Sequence, residues 1–265
     1  MKIGNMTFDN GTHIMAIVNL TPDSFYEGSR ATNDNLLYRV EKAIKEGAEI
    51  IDIGGQSTRP SHIPVSAQEE WQRIENAVVS IKRNFDIPLS VDTYYPFVAQ
   101  NALESGADLI NDIWGLQYNG DMSMADIIAN FDASACIMQN QNFISDDKDL
   151  WQDMFSFLDK SVQIAKKAGI NKDKILIDGG IGFGKSKEQN WTVLNEYEKL
   201  NRYGYPLLLG TSRKSMFGGD VKDRLEPTLE STRLAVRKNV LFVRVHDIKE
   251  NFQAIARERS LLGEL

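Results

Sequence analysis

The stretch KILIDGGIGFGKS, Lys174 to Ser186, admits two folds. An apolar run ends at Asp178, a glycine-rich turn follows, and a polar run of helical character, EQNWTVLNEYEKL, comes next. Gly179, Gly184, Lys185 and Ser186 satisfy the spacing G-x-x-x-x-G-K-[ST], in which backbone amides and a lysine cradle phosphates between a strand and a helix. Taken alone, the loop suggests a nucleotide hydrolase on an open parallel sheet. It is equally a strand end in a closed barrel, and the rest of the chain decides between the two.

The rest of the chain repeats the same unit. Short β-rich runs occur at His13 to Leu20, Glu49 to Gly55, Pro88 to Thr93, Asp108 to Ile113, Ser134 to Asn140, Lys174 to Gly180, Tyr205 to Ser212 and Leu241 to Asp247. Amphipathic runs separate them, as parallel strands require, because each needs a crossover to return the chain. Leu36, Leu37, Val40 and Ile44 share one helical face, as do Trp71, Ile74, Val78 and Ile81. Ser66 to Glu69 reads as a capping box at the start of the second helix, and Pro96 suits the first turn of the third. Asp9-Asn10-Gly11 reads as the turn of a short N-terminal β-hairpin. No linker or low-complexity block interrupts the series, so the expected fold is α/β, a (β/α)8 TIM barrel forming a single domain over residues 1–265.

Composition narrows the class further. Of the 265 residues, 42% are hydrophobic and 25% charged, ordinary values for a chain with a sizeable core. A formal charge of -7 argues against a nucleic-acid surface, though not against a small anion held by a few local cations. The single cysteine, Cys136, cannot make an internal disulfide and reads as a core residue. The first residues lack the apolar core of a signal peptide and no run is long enough to span a membrane, so a cytoplasmic protein is expected.

In such a barrel the chemistry lies at the C-terminal ends of the strands. Those ends are polar here: Asn19, then Gln56 to Arg59, Asp92, Asn111 and Asp112, Asp178, Ser212 to Lys214, and Arg244 to Asp247. Any one of these, taken alone, reads equally well as a helix cap. As a set they are more demanding, since Asp92, Asn111 and Asp178 close otherwise apolar runs, where an unpaired polar group costs several kcal/mol. Arg244 and His246 project to the same side of the last strand, a spacing that suits an oxyanion. His13 and His62 have no comparable context and receive no role.

Read in order, NLTPDSF (Asn19 to Phe25), DIGGQSTRP (Asp52 to Pro60), SVDT (Ser90 to Thr93), NDIWG (Asn111 to Gly115), DGGIGFGK (Asp178 to Lys185), LGTSRKSMFG (Leu209 to Gly218) and RVHD (Arg244 to Asp247) resemble the dihydropteroate synthase family of pterin-binding enzymes. The resemblance touches nearly every strand end. It implies a transferase of folate biosynthesis that condenses 6-hydroxymethyl-7,8-dihydropterin pyrophosphate with p-aminobenzoate. It further implies that Asp92, Asn111, Asp178, Phe183, Lys214 and Arg244 hold the pterin, Arg244 by stacking on the ring. Phe25, Thr58, Pro60 and Ser212 would hold p-aminobenzoate. Glu27, Arg59, Lys214, Arg244 and His246 would serve the reaction, with Asn19 presenting Mg2+ to the leaving pyrophosphate. A homodimer through the C-terminal helices is implied as well.

The chain departs from the family pattern at several places. Tyr26 and Glu27 follow TPDSF where the family has serine and aspartate; Gln56 replaces a glutamate; Gln139 follows Met138 where the family has histidine; and Gly179 replaces a proline, which completes the phosphate-loop spacing by coincidence. Two alternatives stand beside the synthase: a pterin- or folate-binding relative without efficient condensation, and a folate methyl-transfer protein on the same barrel. The second gives no reason for STRP or the TPDSF loop. Dependence on the aromatic amine separates the first.

Overall fold

A computed structural model describes residues 1–18, 20, 29–56, 64–118, 123–141, 143, 144 and 149–263, with the side chains of 29–34 left out. Eight parallel strands close into a barrel: β3 His13–Ile17, β4 Ile50–Ile53, β5 Leu89–Asp92, β6 Leu109–Asp112, β7 Ser134–Met138, β8 Ile175–Asp178, β9 Leu207–Leu209 and β10 Phe242–Val245, with β10 pairing back onto β3. Helices α1 Ser29–Lys45, α2 Ala67–Asn84, α3 Pro96–Glu104, α4 Met124–Asn130, α5 Leu150–Ala168, α6 Lys187–Asn195, α7 Leu225–Arg237 and α8 Ile248–Leu262 alternate with them. The alternation expected from the sequence is therefore present, and it closes the sheet. Every residue of β4 to β8 is buried, as strands covered on both faces must be.

Alternation along each strand sorts the residues into layers. One set, Ile14, Ile51, Leu89, Val91, Ile110, Ile137, Ile177 and Val243, packs outward with α2, α3 and α5 in the main core. The other set fills the barrel's lower interior with Met15, Ile50, Leu109, Cys136, Leu176, Leu208 and Phe242, beneath which Ile3 and Phe8 form a plug. Cys136 is thus a floor residue, as expected. Side chains two positions on lie one layer higher on the same interior face. That layer comprises Ile17, Asp52, Asp92, Asn111, Met138, Asp178, Gly210 and Arg244. An apolar floor below and a polar layer above position the site at the C-terminal mouth.

Several local expectations are corrected. The N-terminal ribbon pairs β1 Lys2–Ile3 with β2 Met6–Thr7, so its turn falls at Gly4-Asn5, and Asp9 to Gly11 instead leads the chain into β3. Gly4 has φ 55°, which supplies the tight reversal the ribbon needs. At α2, Ser66 accepts from the Glu69 amide at 3.2 Å, but Glu69 turns away to pair with Arg73 at 2.6 Å, leaving half a capping box. The reciprocal box forms at α6, between Ser186 and Gln189. The run EQNWTVLNEYEKL is not one helix: α6 ends at Asn195, and Tyr197–Tyr203 is a 3-10 turn whose first residue is fully buried.

Candidate active site

The loop after β8 is not built as a phosphate cradle. In a phosphate-cradling loop the amides and the lysine point outward at a ligand. Here the Gly179 amide donates to Tyr197 Oη at 2.9 Å, Gly180 to Asp178 Oδ1 at 2.8 Å, and Gly182 to Asn190 Oδ1 at 2.6 Å. The Lys185 ammonium donates inward, to Gln139 Oε1, to Gly180 O at 3.0 Å and to Phe183 O at 3.2 Å. Gly180 is obligatory: at φ 63°, a Cβ there would lie 1.8 Å from Gln139 O. The Gly179, Gly180 and Gly182 amides and the Lys185 ammonium are thus bonded within the protein, and the sheet is closed.

In the polar layer above the floor, each candidate pterin-binding group keeps unused capacity. Asp92 accepts from Arg244 Nη2 on Oδ2 at 2.6 Å, while its Oδ1 is buried without a partner. Asp178 holds the Gly180 amide and the more distant Tyr197 hydroxyl, at 3.3 Å, on Oδ1; its Oδ2 takes no hydrogen bond among the described residues. Asn111 pairs in register with Asp92 on the adjoining strand, and its amide too has no partner among the described residues. Lys214 reaches the same space, bonded to Ile181 O, its ammonium 4.8 Å from the Phe183 ring centroid. Tyr94, Ile113 and Met138, with Phe183 and Trp114 against them, form a small apolar wall beside these groups.

Low dielectric surroundings perturb this cluster in the expected directions. Burial pushes Asp92 up to about 7, against the pull of Arg244, and raises Asp178 against the pull of Lys214. Burial lowers Lys214 to about 8, opposed by Asp178. Burial works against the Arg244 charge too, but Asp52 and Asp92 more than offset it and hold the guanidinium above its ordinary value.

Sequence reasoning missed Asp52. Its carboxylate is fully buried and accepts Ser90 Oγ at 2.5 Å and Arg244 Nε at 2.7 Å. A lone aspartate inside the apolar run EIIDIGG was the available signal. Arg244 is accordingly anchored at its edge by two carboxylates, where the sequence suggested a group free to engage ring and pyrophosphate. Glu70 was missed as well. It is fully buried under Gly55, accepts from Gln56 Nε2 at 2.6 Å, and is raised to about 8 by burial.

At the rim, Ser212 and His246 come together: Ser212 Oγ lies 3.0 Å from His246 Nδ1 and accepts from the His246 amide at 3.2 Å. Arg213, in the left-handed region at φ 56°, is bound by two 2.7 Å contacts to Asp247 and belongs to the scaffold. Asp112 is also structural, with its two oxygens accepting the Trp114 and Leu116 amides at 2.8 Å. Asn19, Phe25, Tyr26, Glu27, Thr58, Arg59, Pro60 and His62 lie outside the described residues.

The family model described as pterin binding enzyme matches residues 15–246 of this chain, a span that runs from the first barrel strand to the last. The chain is 44% identical over 262 residues to the dihydropteroate synthase of Clostridium beijerinckii, covering 96% of each chain. It is similar to the crystal structure of dihydropteroate synthase from Clostridium difficile in the presence of pteroic acid, with TM-score 0.90, 41% identity and 98% of each chain covered. The Xanthomonas albilineans dihydropteroate synthase with 4-aminobenzoic acid gives TM-score 0.88 at 32% identity, covering 95% of this chain and 93% of that one. The chain belongs to the dihydropteroate synthase family.

Proposed function

We propose that the protein condenses 6-hydroxymethyl-7,8-dihydropterin pyrophosphate with p-aminobenzoate, releasing dihydropteroate and pyrophosphate. The observation that carries this is the set of unused polar groups: Asp92 Oδ1, the Asn111 amide and Asp178 Oδ2 converge in one interior layer. A pterin edge offers N–H donors and ring acceptors to such a set. A ligand lacking them would leave buried acceptors unmatched, a strong basis for discrimination. Lys214 donates to a pterin acceptor, and Phe183 covers one side of the ring. Arg244 has its Nε and Nη2 held in plane by Asp52 and Asp92, which fixes the orientation of its face for stacking.

Breaking the C–O bond places negative charge on the departing pyrophosphate, and preorganised cations at the mouth stabilise it. His246, with Ser212 on its Nδ1, is exposed at that rim, and Arg59 joins it in the proposal. The aniline nitrogen attacks the exposed methylene and afterwards loses a proton to solvent, so no protein nucleophile is required. Phe25, Thr58, Pro60 and Ser212 hold the benzoate, and Glu27 supplies a carboxylate near the methylene. Mg2+ enters the proposal through Asn19 alone. Among the described residues no three acidic, histidine or cysteine side chains gather to hold a cation.

No helix among the described residues is long and apolar enough to cross a membrane, and a cytoplasmic location is part of the proposal. So is a homodimer through the C-terminal helices, where Phe252, Leu261 and Leu262 of α8 are exposed. The direct test is incubation with the pterin pyrophosphate, Mg2+ and p-aminobenzoate, followed by mass detection of dihydropteroate. Product that requires the amine is expected. Pterin binding without product would favour a non-condensing relative.

A further inference from the structure

The β8 end carries a device that the substrate contacts themselves do not reveal. Tyr197, the first residue of the 3-10 turn after α6, is 1% exposed, and its hydroxyl meets three groups at once. It accepts from the Gly179 amide at 2.9 Å, donates to Leu208 O on the neighbouring strand, and stands 3.3 Å from Asp178 Oδ1. A phenol has one proton, so Leu208 O and Asp178 Oδ1 compete for it. Residue 179 is shaped around this side chain: a Cβ there would lie 2.8 Å from Tyr197 Cε2 and 3.0 Å from Leu200 Cδ1. The absence of a side chain at 179 and the presence of its N–H are therefore both used by the tyrosine.

We infer that Tyr197 is a positioning residue for pterin recognition, fixing the Asp178 carboxylate so that Oδ1 faces the scaffold and Oδ2 faces the ligand. The inference rests on the reading of Asp178 as a pterin contact. The Gly180 amide binds Oδ1 at 2.8 Å, and the hydroxyl flanks the same oxygen at 3.3 Å, sharing its one proton between Oδ1 and Leu208 O, so that the two together set the rotation of the carboxylate. By bonding both the Gly179 amide and Leu208 O, it also locks the end of β8 to β9 at the level where the pocket begins. Tyr197 touches no reacting atom, so it should govern pterin affinity and leave the benzoate site alone.

The test compares wild type with Tyr197→Phe, which keeps the ring and its packing, by calorimetric titration with the pterin pyrophosphate and by steady-state KM for each substrate. Loss of the hydroxyl should weaken pterin binding roughly tenfold and move the p-aminobenzoate KM by less than about twofold. Gly179→Ala supplies an independent arm, since its methyl must displace the tyrosine ring, and the same pterin-specific loss is expected. An unchanged pterin affinity in Tyr197→Phe, or equal losses for both substrates, would overturn the inference. Wild-type protein that binds no pterin would overturn the functional reading and this inference with it.

Discussion

Arg244 Nε stands 2.7 Å from Asp52 Oδ2, joining the last barrel strand to a residue 192 positions earlier in the chain. The contact lies in the polar layer directly beneath the mouth. A fully buried carboxylate beside a guanidinium of raised basicity makes it a fixed element of the site. Asp52→Asn removes the charge but keeps the shape, and leaving the buried arginine with Asp92 in place of two carboxylates should cost about 3 kcal/mol of stability. Urea denaturation of the variant checks this, and a loss under about 1 kcal/mol would show that the pair does not hold the layer.

Glu70 makes the stability pH-dependent in a definite direction. Burial raises its folded pKa to about 8 from 4.5, so its contribution is fully present below the lower value and is lost as pH rises through the upper one. Glu70 Oε1 and Gln56 Oε1 are both buried acceptors without partners. Glu70→Gln places an uncharged donor there and should raise the thermal midpoint at pH 8 while changing little at pH 4. A variant less stable at both values would contradict the assignment.

Pterin affinity should pass through a maximum between the two perturbed groups. Asp92, lifted to about 7 by burial against Arg244, must lose its proton to accept a pterin N–H, so binding strengthens as pH rises through that value. Lys214, lowered to about 8 by burial against Asp178, must keep its proton to donate, so binding weakens above it. Titrations in overlapping buffers at constant ionic strength report the profile. Affinity that is flat from pH 6 to 9 would count against both roles.

Nucleotide hydrolysis is expected to be absent despite the phosphate-loop spacing. Lys185 is directed at Gly180 O, Phe183 O and Gln139 Oε1, and burial lowers it to about 7. Phosphate release from ATP or GTP should stay at background. Turnover that disappears in Lys185→Met would restore the rejected reading.

The barrel was legible because period-two strands and amphipathic helices are local patterns, and eight repetitions leave little room for another closure. The strand-end acids were legible for the same reason, since a polar residue closing an apolar run is visible in one dimension. What stayed hidden depends on closure itself. Asp52 meets Arg244 only after the first and last strands pair. Tyr197 lay in a run that read as ordinary polar helix, and its role follows from a 3-10 turn that aims one ring back at Gly179. The hairpin turn was displaced because Gly4-Asn5 reverses a ribbon of two-residue strands, too short to leave an alternation signal.

If unmatched polar atoms in the barrel's upper layer grip the pterin, Asp92 carries most of that grip, because its Oδ1 is buried with no partner. Calorimetric titration of wild type and Asp92→Asn with the pterin pyrophosphate measures this directly. Wild type should bind tightly and the variant should lose at least about a hundredfold in affinity, with the fold retained by circular dichroism. Equal affinity in the two proteins would contradict it.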